Sequence, residues 1–112
     1  KAAKGVAVFS FKRLCANPLG TADYLAIART YHTVIMVAIP QFSQETEDQA
    51  KRFVLFIDAL YEYSVKFLCS AAVPVQLLYT GSEISFEFER TISRLMEMQS
   101  EDYLTKGHGK AI

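Results

Sequence analysis

The chain has no tryptophan, and only two cysteines and two histidines occur among its 112 residues. That scarcity narrows the available chemistry. His32 sits just ahead of an apolar run and His108 close to the end, so a Ser/His/Asp or Cys/His site has little to draw on. Cys15 and Cys69 are far apart, and neither belongs to a Cys/His/Asp/Glu cluster with metal-ligand spacing. Two reduced thiols in a cytosol-like compartment are the expectation. Cys69, inside an apolar run, reads as a small core hydrophobe. An excess of either charge is missing as well. Twelve basic and twelve acidic side chains give a formal net charge of zero, so no overall field draws nucleic acid or an anionic membrane. No apolar run approaches the ~20 residues that span a bilayer, and no signal-peptide pattern is seen. Gly107-His108-Gly109-Lys110 has the glycines and lysine of a phosphate loop without its longer spacer, its Ser/Thr or a preceding strand. Repeats and low-complexity stretches are absent too. The sequence opens Lys-Ala-Ala-Lys with no initiator Met and is expected to be a piece of a longer protein.

What is present is apolar and ordered. Hydrophobic residues make up 51% and charged residues 21%, a folded composition, and the length suits one domain. The unbroken run Val34-Ile35-Met36-Val37-Ala38-Ile39 ends at Pro40, and a second run, Val65 to Ala71, is followed by Pro74. Between them, apolar residues at 50, 53, 54, 57, 60 and 61 follow helix period over Thr46 to Tyr63. Thr46 and Gln49 have capping-box spacing, and Glu45, Glu47 and Asp48 suit the positive end of a helix. Strand, helix and strand in this form predict parallel strands joined by a right-handed crossover, with helices on both faces of a small sheet. The fold class is α/β. Phe53, Ile57 and Leu60 are expected to pack against Val34, Met36, Phe67 and Leu68. Leu55 and Phe56 widen the apolar face, while Lys51, Arg52, Asp58 and Glu62 mark the wet side.

The flanks read less sharply. Val6 to Phe9 is a strand candidate, and Ser10 is placed to cap a brief helix through Leu14. Asn17-Pro18-Leu19-Gly20 is a turn, after which Thr21 starts a helix sharing Tyr24, Ala28 and Tyr31 on one face. Val75 to Tyr79 reads as a helical turn or two. Phe88, Ile92, Leu95 and Met96 predict a helix from about Phe86 to Ser100, with an extended Ile84 to Phe88 as the alternative. One domain is expected over 1–104, with 105–112 a flexible tail.

Two features stand out as candidate site residues. Ser70 falls at the carboxyl end of a core strand, where open α/β sheets place ligand-facing groups. Arg90 and Arg94, four apart, share a helix face and form a pair of guanidinium forks suited to phosphate or carboxylate. No residue set reads as a metal site.

Several segments together carry a resemblance. Phe11-x-x-Leu14-Cys15-x-x-Pro18-Leu19-Gly20-x-x-Asp23-Tyr24-Leu25, Arg52-Phe53, Ile57-Asp58-Ala59-Leu60-Tyr61 and Ser70-Ala71 resemble signatures of the ZapE/AFG-one-like P-loop ATPases. So does Phe86-Glu87-Phe88-x-Arg90-Thr91-x-Ser93-Arg94-Leu95-x-Glu97-Met98-Gln99-Ser100-x-x-Tyr103-Leu104. The likeness runs from about Val6 to Leu104 and implies the C-terminal part of such a protein. It implies ATP hydrolysis with Mg²⁺ in the parent, with neither ATP nor Mg²⁺ held by this stretch alone. The Walker A loop and acidic Walker B strand would lie upstream, and the polar or acidic residue expected near Val37 or Ala38 is missing. Implied partners are the upstream ATPase region, further copies of the protein and a tubulin-like division protein. Neither nucleic acid nor a transmembrane segment is implied. Bacterial members imply a cytoplasmic setting linked to cell division, and eukaryotic relatives a mitochondrial one linked to protein quality control. Within that frame Arg94, then Arg90, is the expected arginine finger or sensor, acting on a nucleotide held elsewhere. A nucleotide-independent protein-interaction module is the alternative.

Overall fold

The computed structural model describes residues 2–110. Four strands form one sheet in the order β1 (Ala2–Ala3), β2 (Val6–Ser10), β3 (Thr33–Ile39), β4 (Lys66–Ala71). β1 is antiparallel to β2, whereas β2, β3 and β4 run parallel, as the near-continuous apolar runs require. The connections are α1 (Thr21–Thr30) between β2 and β3, and α2 (Glu47–Glu62) between β3 and β4. α3 (Ser85–Glu97) and the short α4 (Glu101–Leu104) follow.

Register places Ala7, Val34 and Phe67 side by side, all buried, on one face of the sheet. α2 is the hub above that face. It buries Ala50, Phe53, Val54, Phe56, Ile57, Ala59 and Leu60, and packs against α1 on one flank and α3 on the other. Aromatic rings mark both flanks. Tyr24 of α1 meets Phe56 at 5.3 Å, and Phe56 meets Phe67 at 6.3 Å. On the other flank Phe53 stacks on Phe88 at 6.0 Å, and Phe88 on Tyr79 at 4.9 Å.

The small parallel sheet with helices is the expected α/β architecture, and α1 and α3 both pack against α2. The next row across the sheet joins Val8, Ile35 and Leu68, and Val8, Val37 and Leu68 are exposed. Leu68, expected in the core, is 56% exposed because alternation along β4 turns it away from α2. Cys69, read as a core hydrophobe, is also exposed, on the edge strand β4. Leu55 turns to solvent while Phe56 is buried. The expected Thr46–Gln49 box is replaced by an earlier one. The Thr46 hydroxyl accepts from the Ser43 amide at 2.9 Å, and the Ser43 hydroxyl accepts from the Glu45 amide. A 3₁₀ turn at Gln44–Thr46 draws the threonine backwards, so its side chain caps no α2 amide.

Other local expectations hold. The Ser10 hydroxyl accepts from the Arg13 amide at 3.2 Å, although the turn it starts, Lys12–Ala16, is π-helical. Segment 85–88 is helical, not extended, with Ile84 as its N-cap: the Phe88 amide donates to the Ile84 carbonyl at 2.8 Å. The helix expected to reach about Ser100 ends at Glu97, and Ser100 instead caps α4 by accepting from the Tyr103 amide.

Candidate functional site

The two arginines of α3 differ in their surroundings. Arg94 makes a charge-assisted hydrogen bond to Asp58 of α2, and its guanidinium lies over the Tyr61 ring, 4.9 Å from the centroid. Tyr61 donates to both carboxylate oxygens of Glu97 at 2.9 Å, which raises its phenol pKa. The same ring stacks on Tyr103 at 5.8 Å, and Tyr103 donates to the Val65 carbonyl at 2.8 Å. Arg94 is therefore one link in a chain of contacts tying α3 and α4 to the α2–β4 corner. Arg90, one turn earlier, is exposed and makes no ion pair among the described residues.

Helical spacing singles out Glu87 and Glu97 as the near carboxylates, yet Asp58, on another helix, is the partner Arg94 takes. The signal was there in another form: Asp58 and Tyr61 belong to one quoted motif and Arg94 to another. Asp58 and Arg52, expected on the wet side, are both partly covered. Arg52 donates to the Cys15 carbonyl at 3.0 Å.

Ser70 sits at the carboxyl end of β4, and its hydroxyl accepts from the Ala38 amide at 3.0 Å. Ala38 has φ +65°, in the left-handed region, where the β3–β4 register shifts between Met36 and Ile39. The hydroxyl thus holds a bulge in β3. No described contact joins Ser70 to either arginine.

His32 Nδ1 lies 2.8 Å from the Thr33 hydroxyl, and His108 Nε2 lies 2.7 Å from the Ala28 carbonyl. Cys15 is fully buried, and burial pushes its thiol up to about 12, far from a nucleophilic thiolate. Among the described residues, no group of three or more His, Cys, Asp and Glu could hold a metal ion. Glu47 is a residue the sequence left as a helix-end charge. It is buried and accepts from the Tyr79 hydroxyl at 2.6 Å and from the Ser82 and Glu83 amides at 2.9 and 3.0 Å. The Tyr79 bond, with help from those amides, holds its carboxyl below the usual range. Gly81 rides directly on it; a Cβ there would come within 2.4 Å of Glu47 Oε2.

ATP and Mg²⁺ are poorly served by these residues. The Gly107–Lys110 run spends its groups on the fold: the Gly109 amide donates to the Tyr63 carbonyl and Lys110 pairs with Glu62.

What these features define is a small parallel α/β unit with its helices packed around α2. The AFG1-like ATPase family model matches residues 1–107, and the chain belongs to that family. It is 42% identical over 99 residues to the cell division protein ZapE of Escherichia coli, covering 88% of this chain and 26% of that protein. It is 34% identical over 134 residues to lactation elevated protein 1 homolog B of Danio rerio, covering 91% of this chain and 27% of that protein. The chain therefore spans about a quarter of the length of these curated relatives. No solved structure matches it.

Proposed function

We propose that this chain is the C-terminal segment of an ATPase linked to cell division, in which ATP and Mg²⁺ are bound by another part of the protein. The segment supplies packing surface and one guanidinium, that of Arg90. A single contrast carries this reading: Arg94 is engaged by Asp58 and the Tyr61 face, while Arg90, on the same helix, is exposed and unpaired among the described residues. A guanidinium already paired with a carboxylate of its own fold must give up that pair to meet a phosphate, so the unpaired one is the readier group. Arg94 is then a positioning residue that fixes α3, and Arg90 is the group directed at the nucleotide. The parent works as a homo-oligomer, in the bacterial cytoplasm or, for eukaryotic relatives, the mitochondrion, and a tubulin-like division protein is its candidate partner.

The test uses the parent-length protein. Arg90→Ala should cut ATP turnover by ~10³-fold or more, the scale of an arginine finger, with ATP affinity kept. Arg94→Ala should lower the melting temperature, and Arg94→Lys should recover part of it. Turnover restored by mixing Arg90→Ala with a phosphate-loop variant would place the arginine across a subunit boundary. Near-normal turnover in Arg90→Ala, with partner binding that needs no ATP, would instead support a nucleotide-independent interaction module.

A further inference from the structure

Ile84, at the N-cap of α3, carries no side-chain acceptor and makes no capping hydrogen bond. The turn leading into the helix is held from outside instead. Glu47, the first residue of α2, is buried and accepts from the Tyr79 hydroxyl and from the Ser82 and Glu83 amides. The Tyr79 oxygen in turn accepts from the Ile84 amide at 3.0 Å, and its ring stacks on Phe88 of α3. Gly81 fits over the carboxylate only because it has no side chain. The carboxylate is needed as such. Glutamine has one accepting oxygen, so either Tyr79 or the two amides would lose their partner. Lys51 and Glu83 join the same segments at 3.0 Å, but both side chains are more than half exposed, and such pairs contribute little.

α3 is thus fixed at two points, with Arg90 between them. Asp58 and Tyr61 hold its last turn through Arg94, and Glu47 with Tyr79 holds its entry. We propose that Glu47 is a positioning residue: it sets the entry of α3 against α2, and through α3 the direction in which Arg90 meets the nucleotide. The role rests on Arg90 being the group directed at the nucleotide, but the hold on α3 can be measured without ATP turnover.

In the parent-length protein, Glu47→Gln should speed hydrogen exchange of the amides at 82–90 by ~10-fold or more. Exchange at 95–104, where Arg94 and Tyr103 make the contacts, should stay as it is. Tyr79→Phe keeps the ring stack and both amide bonds, so it should act in the same direction more weakly; it replaces Glu47→Gln if that variant does not fold. Glu47→Gln should also lower kcat for ATP by ~10-fold or more with KM kept, since a misplacement of about 1 Å can cost ~100-fold. Introduced into Arg90→Ala, it should lower kcat no further, because the two residues act through one group. Unchanged exchange at 82–90, or a rise spread evenly over the chain, would overturn the positioning role. An equal fall in kcat with and without Arg90 would overturn it too, and would leave Glu47 as a general stabiliser. Faster exchange confined to 82–90, beside near-normal turnover in Arg90→Ala, would support the hold on α3 and overturn only the reading of Arg90.

Discussion

Ala38 has the least comfortable backbone position in the sheet. A residue with a Cβ at φ +65° pays roughly 1–2 kcal/mol for the left-handed region. Ala38→Gly removes that cost, partly offset by a floppier unfolded chain, and should stabilise the protein by ~0.5–1 kcal/mol in denaturant unfolding. Ser70→Ala should move the other way by ~0.5–1.5 kcal/mol, because the Ala38 amide loses its acceptor. Opposite signs at two residues joined by one hydrogen bond test the bulge directly. Equal destabilisation by both would mean that the bulge geometry is wrong.

Glu47 gives a pH signature at the same scale. Its carboxyl is depressed in the folded state, chiefly by the Tyr79 hydrogen bond, so folding favours the ionised form. The resulting stability is fully present above the ordinary carboxyl pKa of 4.5 and fades as pH falls through the lower folded value. Glu47→Gln should lower the melting temperature at pH 7 and flatten its decline below about pH 4.5. Parallel melting curves for the two proteins across that acid range would remove Glu47 from the account.

At the scale of elements, α2 decides the fold. Ile57 is fully buried in the cluster that also holds Val34, Met36, Phe67 and Leu60. Ile57→Ala should cost ~2–5 kcal/mol, according to how far the site collapses. Against a total of ~5–15 kcal/mol for a small domain, guanidine unfolding would show the loss plainly. An unchanged midpoint would mean that another helix face is buried. The sequence made this helix legible because its apolar positions follow one period and continue round more than one side. It made the strands legible through unbroken apolar runs stopped by Pro40 and Pro74. The same runs left the two faces undistinguished: when Val34 through Ile39 are all apolar, no alternation tells which face meets α2. The Arg94–Asp58 pair was hidden for a different reason. Spacing rules work within a helix, and this contact joins α3 to α2 across the fold. Glu47 was missed likewise, because its donors lie in the turn after Tyr79, far away in sequence.

At the scale of the whole molecule, two kinds of unsatisfied surface coincide. β4 closes one side of the sheet and presents a free strand edge, while β1 pairs along β2 at the other side. Leu68 lies on that edge strand and on the open face, so one location offers both unpaired backbone and apolar area. Taken alone, the 112-residue chain has nothing of its own among the described residues to place there, and a second copy is the nearest apolar surface in solution. Sedimentation of the isolated chain should therefore show a dimer or larger species growing with concentration. Leu68→Lys should return it towards the monomer, since a charge on an edge strand opposes pairing. The substitution should hardly alter the melting temperature of the monomer, because Leu68 is already 56% exposed there. A chain that stays monomeric at every concentration, with or without Leu68→Lys, would show that the free edge and the open face are too small or too twisted to associate.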